Sequence, residues 1–310
     1  MFPQRNRPKE NARWRGKVLQ ISPKGVVTPF AHEFRYPMGL AIDANDNVFA
    51  TDNQGVQNCF NEINHLVRGR RYGVPSRHEE KHEGKAYQPA IQVPHPLTRS
   101  VNGLFMLDKR FPDSSLVGHG VGCEYNGRFL IRFSYHDVGG ALQGATYYLT
   151  KPSFKDTNAN FLGPLCGAVA PNGDVYIGSI HDSGWLGGQN TGSIVRLRRN
   201  GDLPNGIREI RAVAGGFDIE FFKPVQANTA SAATTYSISG YTRVFQGSYT
   251  SPDSGRHRVE VLSAKLSSDS RTVRLNVKEL REGYVYEISV KSNTGLWPET
   301  GHYTMLTVPK

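Results

Sequence analysis

The sequence predicts an all-β chain in two parts, a partial β-propeller followed by a β-sandwich. Three observations predict it: short Val, Ile, Phe and Tyr runs separated by turn residues, a strand–turn–strand unit that recurs, and a change of pattern after residue 203. The 310 residues include 33 Gly and 18 Pro, the punctuation of frequent turns, and no long amphipathic helix interrupts them. That length suffices for two domains, each with its own core. No apolar run approaches the roughly 18 residues that would read as a membrane-spanning helix.

Residues 1–15 read as a loosely docked basic arm carrying Arg5, Arg7, Lys9, Arg13 and Arg15. The propeller part follows over 16–203. Its clearest unit is a pair of apolar strands, Gly39 to Ile42 and Val48 to Ala50, joined by Asp43-Ala-Asn-Asp-Asn47, whose residues tolerate tight backbone geometry. Gly39-Leu-Ala-Ile-Asp-Ala-Asn-Asp-Asn-Val-Phe-Ala50 overlays Gly167-Ala-Val-Ala-Pro-Asn-Gly-Asp-Val-Tyr-Ile-Gly178. A second echo joins Gly16-Lys-Val-Leu-Gln-Ile-Ser-Pro-Lys-Gly25 to Gly192-Ser-Ile-Val-Arg-Leu-Arg-Arg-Asn-Gly201. Between them, Val101 to Leu107, Arg128 to Phe133 and Ala145 to Leu149 read as further strands. Sheet units repeating at roughly 40 to 50 residues are the signature of a propeller, and about three fit here, with an outer strand near Val18.

After Leu203-Pro-Asn-Gly206 the character changes. Residues 207–310 hold no cysteine and alternate with period two, as in Phe217, Ile219 and Phe221 and in Val273, Leu275 and Val277. Leu280-Arg-Glu-Gly-Tyr-Val-Tyr286 has the spacing of a tyrosine corner, in which a phenol bonds back to the backbone. That predicts an immunoglobulin-like sandwich without the disulfide. The polar stretch Gly240 to Arg256 reads as a long mobile loop. Such a module serves more often for spacing or docking than for catalysis.

The formal charge is +10, from 37 basic and 27 acidic side chains. The basic residues are dispersed, and neither a helix-turn-helix nor an RNA-recognition motif appears. A solvated surface therefore explains the charge better than nucleic-acid binding, with an anionic polymer or acidic protein partner compatible with it. Cys59, Cys123 and Cys166 fit no zinc spacing; one bridge plus a free thiol and three buried thiols both stay open. The first ten residues lack the apolar core of a signal peptide. No nucleophile elbow, phosphate-binding loop or dinucleotide fingerprint appears. If the strands converge on an axis, His95, His119 and His181 fall on one face as a candidate metal site, against the plainer reading of separate hydrogen-bonded histidines. Trp185 either stacks on a sugar ring or packs a loop.

The stretch from Glu33 to Pro75 is the most informative. Glu33-Phe-Arg-Tyr-Pro-Met-Gly-Leu-Ala-Ile-Asp43, Val48-Phe-Ala-Thr-Asp-Asn-Gln-Gly55 and Asn61-Glu-Ile-Asn64 resemble, in order and spacing, the soluble quinoprotein glucose/sorbosone dehydrogenases. The resemblance implies a six-bladed ring of which the N-terminal half is missing here. It implies oxidation of a sugar or alcohol, with pyrroloquinoline quinone taking the hydride and calcium polarising the quinone. Arg35 falls on the cofactor-side arginine, Asn53 and Gln54 on cofactor contacts, and Asp52 and Gly55 on the calcium loop, with Glu62 and Asn64 holding that loop. Hard oxygen ligands suit calcium, and an arginine fork suits a quinone carboxylate. A periplasmic or secreted setting and a sugar or polysaccharide-derived substrate follow from the same resemblance.

The departures are specific. Tyr36, Met38 and Val74 replace the family's Asn, Gln and Trp; Glu124-Tyr-Asn-Gly-Arg128 lacks a quinone-binding lysine; and Phe161-Leu-Gly-Pro-Leu-Cys-Gly167 lacks two arginines. The family's proton-abstracting histidine belongs to an earlier blade. Two functions are therefore carried forward: an incomplete or degenerate sugar dehydrogenase, and a non-catalytic carbohydrate- or protein-binding assembly module. In either, a homodimer or a partner chain is expected to complete the propeller.

Overall fold

The computed structural model describes residues 13–55, 58–74, 85–95, 97–152, 161–184, 187–198, 201–246, 251–291 and 295–310. Residues 1–12 of the expected arm, and Trp185, lie outside them. The described chain is all-β, with three radial sheets of an open propeller followed by a sandwich. No helix in it is long and apolar enough to cross a membrane.

Strands β1 (Lys17–Ile21) and β2 (Val27–His32) form a two-stranded hairpin. The strand expected near Val18 is thus half of a separate unit. The first full sheet contains β3 (Pro37–Ile42), β4 (Val48–Asp52), β5 (Asn61–Leu66) and β6 (Ile91–Val93) in that order. Its first turn forms because the Asp43 carboxylate accepts the amides of Asn45 and Asn47 and the Asn47 side-chain amide, each at 2.8 Å.

The second sheet is β7 (Val101–Met106), β8 (Gly120–Glu124), β9 (Phe129–Val138) and β10 (Ala141–Tyr148). The third has three strands among the described residues: β11 (Pro164–Val169), β12 (Val175–His181) and β13 (Thr191–Leu197).

The first strands of successive sheets touch backbone to backbone. A Cβ on Gly39 would sit 2.2 Å from the Asn102 carbonyl, and one on Gly103 would sit 2.2 Å from that of Leu165. Glycine is what lets the inner strands approach so closely. Farther out, Phe49, Ile63 and Ile91 of the first sheet pack with Leu104, Phe129 and Phe133 of the second. Phe105, Val121 and Leu130 of the second pack with Val169 and Ile177 of the third.

Beyond Gly206 lie β14 (Ile207–Val213), β15 (Gly216–Phe221), β16 (Tyr236–Thr242), β17 (Ser254–Val259), β18 (Val261–Leu266), β19 (Thr272–Val277), β20 (Tyr284–Val290) and β21 (Thr300–Met305). One layer runs β14-β15-β19-β18 and the other β17-β16-β20-β21. Phe217, Ile219 and Leu275 of the first share a core with Ile238, Tyr286 and Tyr303 of the second. Tyr286 is fully buried, and its hydroxyl accepts from the Arg281 amide (2.5 Å) and donates to the Arg281 carbonyl (3.3 Å). The stretch expected as a long loop is shortened by strand at both ends, since Thr242 pairs with Ser254 and Gly240 with His257.

The two parts meet in one continuous sheet of eight strands, because β21 also pairs with β10 through Ala145–Tyr303 and Thr146–His302. Arg132 seals the joint. Its buried guanidinium donates to the carbonyls of Ile207 (2.9 Å) and Arg208 (2.5 Å), lies 2.7 Å from His119 Nδ1 and stacks on Tyr147.

Candidate functional site

In each sheet the first strand begins, and the second ends, at the same rim. This rim holds the residues singled out around Arg35. The Arg35 and Tyr36 amides donate to the two oxygens of Asp52, at 2.8 and 2.6 Å, which ties the entry of β3 to the end of β4. The Arg35 guanidinium turns back along the following loop and donates to the Asn53 carbonyl (3.3 Å). It lies across Gly55, where a Cβ would come 2.2 Å from Arg35 Cδ, so the glycine makes room for it. Asn53 reaches the neighbouring sheet through Nδ2, which donates to Ser100 Oγ (3.0 Å). Gln54 is buried, and its backbone amide donates to Asn61 Oδ1 (3.3 Å).

Thus Arg35, Asp52, Asn53 and Gly55 come together, whereas Gln54 belongs to the interior. Glu62 sits beside Asp52 in the β4–β5 register, and Asn64 Nδ2 donates to it (3.3 Å). Both acids are buried. Burial raises the Asp52 carboxyl to about 7 despite its amide bonds and Arg35, and burial together with the neighbouring Asp52 charge holds Glu62 well above its ordinary value. The pair therefore keeps one proton at neutral pH. Glu62, with fewer hydrogen bonds to a charged form, is its natural seat.

The same device recurs one sheet on. Glu124 ends β8, and its carboxylate accepts the Arg99 and Ser100 amides at 2.7 Å each, the Thr98 hydroxyl at 3.2 Å and the Gly127 amide. Glu124 occupies the segment in which the resemblance expects a quinone-binding lysine. Beyond it, the Tyr125 hydroxyl donates to Asp182, and Arg128 Nη2 lies 3.3 Å from His181 Nε2, which joins the second sheet to the third. Burial and the Asp182 carboxylate both push the Tyr125 phenol up. These four residues form the part of the rim that sequence reasoning did not assemble. The available signals were the Glu124-to-Arg128 turn and the adjacent His181 and Asp182.

The three histidines do not converge. His119 precedes β8 while His181 ends β12, and these equivalent second strands run the same way, so the two lie at opposite ends. Among the described residues, no group of three His, Cys, Asp or Glu side chains is placed to hold a metal ion. The three cysteines are free thiols, Cys59 and Cys123 buried and Cys166 exposed.

The rim does not fit a quinone–calcium pair well. Asp52 spends both oxygens on backbone amides and shares its burial with a protonated neighbour. Of the cationic clamps that the resemblance implies, the sequence keeps Arg35 alone, and β11 offers Leu165 and Cys166 in the segment where two arginines are expected.

The chain matches no family model and no curated protein. Among solved structures it is similar to the PQQ-bound aldose sugar dehydrogenase of Streptomyces coelicolor, at 19% identity over 58% of this chain and 51% of that one, with a TM-score of 0.41. It is also similar to an oxidoreductase (glucose dehydrogenase) of Thermus thermophilus, at 18% identity over 59% and 55%, with a TM-score of 0.43. A further glucose dehydrogenase matches at 15% identity over 63% and 56%, with a TM-score of 0.43. The chain spans about half the length of these structures.

Proposed function

We propose that this chain is a sugar-dehydrogenase-like propeller segment over 16–203, joined to an immunoglobulin-like sandwich over 207–310. Its rim binds a sugar or polysaccharide-derived polyol, in a periplasmic or secreted setting. The observation that carries the reading is the continuous polar rim across three sheets, from Arg35 and Asn53 through Ser100 to Tyr125–Asp182 and Arg128–His181. Amides, hydroxyls, a carboxylate and guanidinium forks are the mixture of donors and acceptors that sugar hydroxyls require. The resemblance around Arg35 supports the sugar class.

Quinone-dependent oxidation by this chain alone is not part of the proposal, since the clamps for the quinone carboxylates are largely replaced. Calorimetric titration with aldoses and short oligosaccharides tests binding, and Arg128→Ala and Asp182→Asn should each weaken it. A dye-linked dehydrogenase assay after adding calcium and pyrroloquinoline quinone tests the chemistry. Robust quinone-dependent turnover would overturn the assignment of a binding role. Absence of any saccharide binding would overturn the substrate class.

A further inference from the structure

One face of the arc is apolar and open. Tyr36, just before β3, and Met38, Leu40 and Ile42 along it are 47%, 49%, 52% and 56% exposed. Four large apolar groups in a row on an inner strand form a patch that a soluble protein normally covers. Among the described residues, cover on this side lies over the outer part of the sheet. There Ala31 of β2, with Val18 and Phe30, packs over Val48, Ala50 and Leu66 of β4 and β5.

The hairpin that does this covering looks like the outer half of a sheet. The echo between residues 16–25 and 192–201 sets β1 against β13, which is the third strand of its sheet and pairs inward with β12. By that correspondence β1 and β2 are third and fourth strands. The outer edge of β2 is engaged, because the Phe30 carbonyl accepts from the Gly69 amide (2.8 Å) and the His32 amide donates to the Arg70 carbonyl (3.2 Å). On its inner side β1 pairs with no strand among the described residues.

Among the described residues, the inner edge of β1 over Val18–Ile21 carries no strand and lies beside an apolar ridge, and two strands at ordinary spacing would close both. The basic side chains Arg13 and Lys24 are exposed beyond the two ends of β1, and Arg68 reaches across to Gln20 of β1 (2.5 Å), while Glu33, Asp52 and Glu62 nearby are buried.

We propose that the β1 edge and the Met38–Leu40–Ile42 ridge form a docking site for a two-stranded β-hairpin with acidic flanks, carried on polypeptide outside these 310 residues. The hairpin adds antiparallel to β1, lays small or aromatic side chains over the ridge and turns β1–β2 into a four-stranded sheet. A second copy of this chain is the poorer occupant. Its open end is the outer face of the third sheet, three strands wide, and β1–β2 already covers the outer part of the face it would need. This inference does not depend on what the rim binds.

The probe is a synthetic peptide copying residues 162–182, the β11–β12 unit that flanks β13 and carries Asp174 and Asp182. Hydrogen exchange should show new protection of the amides of 18–21 when the peptide is added. Leu40→Glu or Met38→Glu should each weaken binding about tenfold or more, while Ile194→Glu, on the third sheet, should leave it unchanged. A peptide with Asp174→Lys and Asp182→Lys should bind more weakly, and the difference should shrink as salt is raised. Leu40 and Met38 are half exposed, and a thermal melt of each variant confirms folding. Three results would overturn the proposal: no protection of 18–21, binding indifferent to both ridge variants, or a protein that sediments alone as a dimer with those amides already protected.

Discussion

Replacing Tyr286 by Phe removes the oxygen that holds the Arg281 backbone and leaves the ring in place in the core. Phe217 stays 5.6 Å away, centroid to centroid, so packing changes little and the cost falls on the hydrogen bonds. The 2.5 Å bond from the Arg281 amide is the stronger, and the 3.3 Å bond to the Arg281 carbonyl is long. An amide left unpaired in a buried place costs about 1 to 3 kcal/mol. The Arg281 side chain is exposed and water has some access to its backbone, so about 1 to 2 kcal/mol is the expected loss. Urea unfolding followed by circular dichroism measures it, as a lower midpoint with an unchanged slope. Tyr286→Leu should cost more, because it also removes ring contacts with Phe217. A Tyr286→Phe protein within about 0.5 kcal/mol of the parent would refute the claim that this phenol pins the crossing.

Glu62→Gln tests the buried acid pair. Both carboxyls are raised in the folded state, so their contribution is complete below about pH 4 and is lost as pH rises, through about 7 for Asp52 and well above the ordinary carboxylate range for Glu62; the variant should therefore melt higher than the parent at pH 8 and alike at pH 4. Burial lowers His302 to about 3, which destabilises both proteins as pH falls below about 6.5, so this effect cancels in the difference between them. Arg132→Met strands one buried and one part-buried carbonyl at the joint and should cost about 2 to 4 kcal/mol, with faster proteolysis between the propeller part and the sandwich. Gly103→Ala drives a Cβ into the Leu165 carbonyl and the Cys166 backbone and should cost about 1 to 3 kcal/mol or more, whereas Gly192→Ala, with its nearest atom at 3.5 Å, should be tolerated in thermal melts.

What was legible followed the turns. The pairs β3–β4 and β11–β12 stood out because a short Asp/Asn/Gly turn joins each and fixes where the strands stop. The equivalent pair in the second sheet, β7–β8, escaped the repeat because Leu107 to His119 separates its strands, although Asn102-Gly103-Leu104-Phe105 carries the same glycine entry. The sandwich was legible from alternation and from the reach of Tyr286 to Arg281, both local in sequence. Its fusion to the second sheet was not. That depends on β10 meeting β21 and on Gln143 Nε2 donating to Tyr303 Oη at 2.8 Å, between residues far apart in the chain. Around Arg35, the sequence brought the right neighbours together, but it could not show that Gln54 is buried or that Asp52 is enclosed.

Asp52 illustrates why role is harder to read than place. A carboxylate after an apolar strand, followed by Asn, Gln and Gly, carries the letters of a calcium loop. It carries equally the letters of a side chain that accepts backbone amides, because both tasks select anionic oxygen at a strand end. The second sheet separates the two readings. Glu124 stands at the same strand end and accepts the amides of Arg99 and Ser100 as Asp52 accepts those of Arg35 and Tyr36, in a segment with no likeness to a calcium loop. A device repeated where no cation is expected explains itself by what it joins, namely the entry of a first strand to the exit of a second. Such pinning holds the rim in shape while Arg35, Ser100 and Arg128 face the next sheet or the loop beside it. The anion serves the scaffold, and binding at the rim falls to the side chains that the scaffold presents.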